Sequence, residues 1–159
     1  MTMVRSTRVS RRMLLRSVSA GTITLLGISP THNAAAQQQT PAAAALLQRI
    51  ANGRAPQQGR IRLRLPEVAE NGNTVPITVT VESPMRAEDH VKAVYVVSDG
   101  NPRPEVFVAH FSAASGKAEV ATRMRAARTM NVIAYADMSD GSLWSTQTEA
   151  RVTIGGCGG

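Results

Sequence analysis

Arg60-Ile61-Arg62-Leu63-Arg64-Leu65 alternates charged and aliphatic residues without a break. Successive side chains of an extended chain point to opposite faces, so a period of two marks a strand with one wet side and one buried side. Arg60, Arg62 and Arg64 form the wet face of this strand, and Ile61, Leu63 and Leu65 its buried face. Further short strands follow over 75–81, 91–97, 106–111, 118–124, 132–136 and 144–154. Turn dipeptides or boundaries separate them at Asn71-Gly72, Ser83-Pro84, Asn101-Pro102, Ser115-Gly116 and Asp140-Gly141. Seven strands at this spacing predict an all-β protein, an immunoglobulin-like antiparallel β-sandwich over 60–154. Aromatics are few (Trp144, Tyr95, Tyr135, Phe107 and Phe111), so the core must rest on Val, Ile, Leu and Met.

Upstream of the strands, 37–59 reads as a short helix and linker. Thr40 is an N-cap, Pro41 suits the first helical position, and 42–50 are good helix formers before Asn52-Gly53 stops them. Leu46, Leu47 and Ile50 fall on one face at helical spacing, an apolar stripe expected to pack on a neighbouring surface, a partner's included.

Earlier still, Ser10-Arg11-Arg12-Met13-Leu14-Leu15, a weakly apolar stretch over 18–28 and Ala34-Ala35-Ala36 stand in the order of a twin-arginine export signal with its cleavage site. Residues 1–36 are therefore expected to be removed, and the mature chain to work in the periplasm. The apolar stretch is too short to span a bilayer, so no stable membrane insertion is expected. The formal charge of +7 then loses its apparent meaning: without Arg5, Arg8, Arg11, Arg12 and Arg16, 13 basic and 11 acidic residues remain, a charge of +2. Nucleic acid is not an expected partner. Two arginine clusters remain, at 60, 62 and 64 and at 123, 125 and 128. For the first, attraction of anionic substrates or acidic partners is the functional alternative to a solvated strand face.

The sole cysteine sits in the last five residues, Gly155-Gly156-Cys157-Gly158-Gly159. Glycine has no side chain and the widest choice of backbone angles, so this is a slim, flexible arm. Fully extended, it would carry the sulfur on the order of 10 Å beyond the last strand. One cysteine cannot form an internal disulfide in an oxidising compartment, so Cys157 stays free, joins another molecule or carries a group. No fixed positive charge neighbours it, which leaves its activation to a partner's active site.

Catalytic equipment is sparse. The chain lacks a haem-attachment motif, paired cysteines, a nucleotide-binding glycine loop and a zinc motif, so no cofactor is expected. His90 and His110 lie in different segments and read as structural histidines. Asp137 and Asp140 read as turn residues around Gly141, and Trp144 as core or interface. These absences leave a carrier: a group attached to the thiol, shown to successive partners and released. Two other classes compete with it. A structural or adhesive β-sandwich would use Cys157 for an intermolecular disulfide, and a thiol enzyme would need His90 or His110 folded close to Cys157.

The chain resembles the SoxY family, sulfur-carrying subunits of the periplasmic Sox thiosulfate-oxidation system. Besides the Gly-Gly-Cys-Gly-Gly end, the resemblance takes in Leu65-Pro66-Glu67-Val68-Ala69-Glu70-Asn71-Gly72, Val75-Pro76-Ile77, Glu82-Ser83-Pro84-Met85 and Asn101-Pro102-Arg103-Pro104. It extends through Thr122-Arg123-Met124-Arg125 and Asp140-Gly141 to Val152-Thr153-Ile154. It implies a heterodimer with a SoxZ-like subunit that travels with this chain. It also implies that Cys157 takes up thiosulfate as a cysteine S-thiosulfonate from the c-type cytochrome SoxAX. The manganese hydrolase SoxB would then release sulfate, and a sulfane dehydrogenase, where present, would oxidise the remaining sulfur. Only Cys157 would bond the substrate, with Gly155, Gly156, Gly158 and Gly159 providing access.

Overall fold

A computed structural model describes residues 39–154, all within one compact unit. The expected signal, 1–36, and the expected carrier arm, 155–159, lie outside the described residues. The first element is the helix α1 (Pro41–Ala51), begun and ended as its sequence predicts. The Thr40 side chain accepts from the Ala43 backbone N–H at 3.3 Å, and Asn52 closes the helix in the left-handed conformation, φ 46°.

Ten strands follow: β1 (Gln57–Gln58), β2 (Ile61–Arg64), β3 (Ala69–Asn71), β4 (Val75–Val81), β5 (Val91–Ser98), β6 (Glu105–His110), β7 (Ala118–Met124), β8 (Met130–Met138), β9 (Leu143–Ala150) and β10 (Val152–Ile154). They form a five-stranded sheet in the order β1-β9-β8-β5-β6, a three-stranded sheet β2-β4-β7 and a two-stranded ladder β10-β3. The long pairings are antiparallel, as an immunoglobulin-like sandwich requires, whereas the short β1–β9 and β10–β3 ladders are parallel.

Burial follows the period-two pattern. Val75, Ile77, Val79 and Val81 of β4 turn inward and meet Val94, Val96, Val132, Ala134, Ala136 and Met138 of the larger sheet in one core. The intervening Ile133 and Tyr135 of β8 face the other way, under α1, where Ile133 packs with Ala43, Leu47 and Val97. A central strand covered on both faces reads as a nearly continuous apolar run, and β8 does. The Leu46-Leu47-Ile50 stripe is thus seated on the protein's own sheet, with Leu47 buried and Leu46 and Ile50 half-buried. Burying a leucine side chain fully is worth about 1.5–3 kcal/mol, enough to hold so short a helix in place.

The structure departs from the sequence reading at four points. Seven expected strands became ten, because the two-residue β1 and the β3 segment carry no apolar periodicity of their own. The single strand expected over 144–154 is two: β9 ends at Ala150 opposite Met130, the first residue of β8, and β10 takes β3 as its new neighbour. Arg60 is not on the strand face. It precedes β2 with φ 43°, lies half-buried 5.1 Å over the Trp144 ring, and pairs with Asp89 at 3.3 Å. Asp137 is not a turn residue but part of β8, where it takes Arg54 at 2.6 Å and Lys92 at 3.3 Å. Asp140, as expected, serves the turn, accepting the Ser142 backbone N–H at 2.8 Å.

Candidate functional site: the root of the cysteine arm

Cys157, Gly155, Gly156, Gly158 and Gly159, the predicted site, all lie outside the described residues. What the fold defines is the anchor from which they extend. Val152 pairs with Ala69 and Ile154 with Asn71 in the parallel β10–β3 ladder. The Ala69 N–H donates to the Arg151 carbonyl at 2.8 Å, and the Thr153 hydroxyl donates to the Ala69 carbonyl at 3.3 Å. From the other side, the Thr129 hydroxyl accepts the Val152 N–H at 3.1 Å and donates to the Val152 carbonyl at 3.5 Å. Val152 itself is half-buried against the core. Each such bond contributes on the order of 1 kcal/mol net, so four of them and one apolar anchor hold the chain in register up to its final five residues.

Charge at this root is balanced locally. Arg151 donates through Nε to the Glu149 carboxylate at 2.7 Å, and that bond, followed by the charges of Glu149 and Glu67, raises the Arg151 pKa above its ordinary value. The loop before β8 is also pinned: Asn101 donates to the Arg125 carbonyl at 2.8 Å and accepts from Ala127 N–H at 3.0 Å, and Ala126 N–H donates to the Gly72 carbonyl at 2.7 Å.

The two histidines of the sandwich are elsewhere. β5 runs from Val91 to Ser98, and it is the Ser98 end that adjoins the start of β8 and the end of β9, hence the arm root. His90 precedes the opposite end, its Nδ1 3.0 Å from the Arg86 carbonyl, and His110 pairs with Ala93 at that same end. Eight residues of strand span about 26 Å, well beyond the roughly 10 Å by which Cys157 can extend past Ile154. Among the described residues no three His, Cys, Asp or Glu side chains come together to hold a metal ion, and no helix is long and apolar enough to cross a membrane.

Thr129 and Ala69, the residues that fix the arm root, were not identified from sequence. Ala69-Glu70-Asn71 resembles the approach to a turn more than a strand, and Thr129 lies in an unpatterned loop. The one clue was that 65–72 and 152–154 both belong to the segments carrying the family resemblance.

The family model for "Sulfur oxidation protein SoxY" matches residues 47–157, a span that includes Cys157. Among solved structures, the sulfur carrier protein SoxY from Chlorobium limicola f thiosulfatophilum is similar at 32% identity and a TM-score of 0.58, covering 70% of this chain and 99% of that one. Superoxide reductase (neelaredoxin) from Ignicoccus hospitalis matches at 15% identity and a TM-score of 0.53, covering 59% of this chain and 80% of that one, a likeness of fold alone. No curated protein matches.

Proposed function

The chain belongs to the SoxY family, and on that premise we propose that it is a sulfur carrier in sulfur oxidation whose cargo is bonded to Cys157. The observation that carries this reading is the anchoring of β10: the fold holds the chain firmly up to Ile154, and the sequence then places its only cysteine between two pairs of glycines. A fixed root and a slim end suit delivery of one thiol into narrow active sites.

In this reading the thiol and thiosulfate are joined oxidatively. The S–H bond of Cys157 and the charge on the outer sulfur of thiosulfate give way to a new S–S bond, one proton is released, and two electrons leave one at a time through a SoxAX-type c-type cytochrome to its electron acceptors. Water then cleaves the bond between the sulfane sulfur and the sulfonate group at a SoxB-type manganese hydrolase, releasing sulfate and a proton and leaving a persulfide on Cys157. A sulfane dehydrogenase, where the host has one, oxidises that sulfur. Gly155, Gly156, Gly158 and Gly159 leave the thiol unobstructed. A SoxZ-like subunit completes a heterodimer, and the pair works in the periplasm after twin-arginine export directed by residues 1–36. This chain performs no chemistry of its own, a view supported by the distance of His90 and His110 from the arm root.

Intact mass of the protein from cells oxidising thiosulfate, with and without reductant and beside a Cys157→Ser variant, tests the proposal. Reductant-sensitive sulfur or thiosulfonate adducts confined to Cys157 are expected. Bare protein, or only a disulfide-linked dimer, overturns the proposal in favour of a structural role.

A further inference from the structure

Pairing register gathers several segments at the end of the sandwich where β10 stops. Ser98 lies opposite Val132, Met124 opposite Val75, and Ala150 opposite Met130, so the β3 segment 65–74 and the loops 99–104 and 125–129 all lie beside the arm root. Both loops are held by hydrogen bonds. In 99–104, Asp99 is buried and its carboxylate accepts both the backbone N–H and the side-chain amide of Asn131 at 2.8 Å, while the Pro104 carbonyl accepts the Ser98 N–H at 2.7 Å. In 125–129, Asn101 grips both Arg125 and Ala127, and Thr129 grips Val152.

These pinned loops display three exposed arginines, Arg103, Arg125 and Arg128. None of the three enters an ion pair among the described residues, nor do Arg49, Arg64, Arg86 and Arg123, whereas Arg54, Arg60, Arg62, Lys92, Lys117 and Arg151 all do. The acids nearby are the exposed Glu67 and Glu70 in 65–74, the exposed Glu105 just past 99–104, and the half-buried Glu149, which is joined to Arg151. Arginine is favoured at interfaces because its planar fork meets carboxylates in pairs, and a backbone already ordered lowers the entropic cost of binding.

We propose that Arg103, Arg125 and Arg128 form a cationic collar beside the root of the arm, which docks on a carboxylate-rimmed active-site mouth of a sulfur-processing enzyme. The proposal rests on the carrier reading above. Cys157 lies three residues beyond Ile154, so an enzyme that receives it must press its rim against this end of the sandwich. The side chains are exposed on two separate loops, which suits a broad acidic surface better than enclosure of one small anion. Attraction of this kind acts mainly on encounter and weakens with salt.

The test uses the mature chain in complex with its partner subunit and the manganese hydrolase of the proposed cycle. Affinity is titrated across ionic strength for the unsubstituted complex, for the combined Arg103→Gln, Arg125→Gln, Arg128→Gln variant, and for a charge-matched control with Arg62→Gln, Arg86→Gln and Lys117→Gln. The collar variant is expected to bind about tenfold or more weakly at low salt, with the difference closing at high salt and the control nearly unaffected. Equal affinity of collar variant and control overturns the collar. So does absence of salt-dependent binding by the unsubstituted complex, or a defect confined to uptake of free thiosulfate. Failure of the carrier reading would appear separately, by mass, as complexes that bind the hydrolase yet never bear an adduct on Cys157.

Discussion

The Thr129 hydroxyl accepts the Val152 backbone N–H at 3.1 Å and so ties the last strand of the sandwich to the loop that begins β8. Thr129→Val keeps the shape of the side chain but removes that acceptor. It should cost about 0.5–1.5 kcal/mol of stability and speed hydrogen exchange at the Val152 amide far more than at the β8–β9 ladder. Unchanged exchange at Val152 would show that the hydroxyl does not hold the arm root.

Arg54 closes the C-terminal end of α1. It donates to the carbonyls of Ile50 and Ala51, orphan acceptors of the last helical turn, at 3.2 and 3.1 Å, and to the Asp137 carboxylate at 2.6 Å. Because Arg54 is one-third exposed, the pair is partly screened, and Arg54→Ala should cost about 1–2 kcal/mol. Denaturant melts of Arg54→Ala, Asp137→Asn and the double variant should give non-additive losses; full additivity would mean that the pair contributes nothing.

Gly100 is required by proximity, not by its backbone angles. A Cβ there would lie 2.6 Å from the Met130 Cβ, and Met130 is buried at 1% exposure. Gly100→Ala should therefore destabilise by about 1–3 kcal/mol. Since the collision is with a Cβ, Met130→Ala should not rescue it; rescue would place the conflict further out along the methionine.

The Asp140 carboxyl is held below its ordinary pKa of 3.8, first by the Ser142 hydroxyl and next by the Ser142 backbone N–H. Its charged form is the one the fold favours, so its contribution is complete above the ordinary value and is lost as pH falls through the lower, folded one. The difference in Tm between the parent and Asp140→Asn should accordingly be present at pH 7 and shrink below about pH 4. A difference that is constant with pH would exclude the charge as its origin. The group is exposed, so the effect should also weaken with salt.

Local signals made much of this molecule legible. Thr40, Pro41 and Asn52 delimit α1 because capping chemistry is confined to a few neighbouring residues. The inward positions of β2 and β4 follow directly from alternation, since a half-buried strand must repeat every two residues. The cysteine arm stands out by composition alone. Harder to read were β1 and β3, which have no apolar face and exist because a neighbouring strand supplies hydrogen-bond partners. Arg60 and Asp137 were misplaced for a related reason: each sits where a distant residue, Trp144 for one and Arg54 for the other, satisfies it.

The sequence by itself determined the sandwich class, the capped helix and a lone thiol on a glycine arm, because periodicity, capping and composition are written within a few residues of one another. Only the tertiary structure decided that α1 covers its own sheet, that β10 pairs with β3 while Thr129 holds Val152 from the other side, and that Arg103, Arg125 and Arg128 share the end from which the arm departs. Those relations join residues far apart along the chain, and no local pattern encodes a contact whose partner is selected only when the sheets close on a common core.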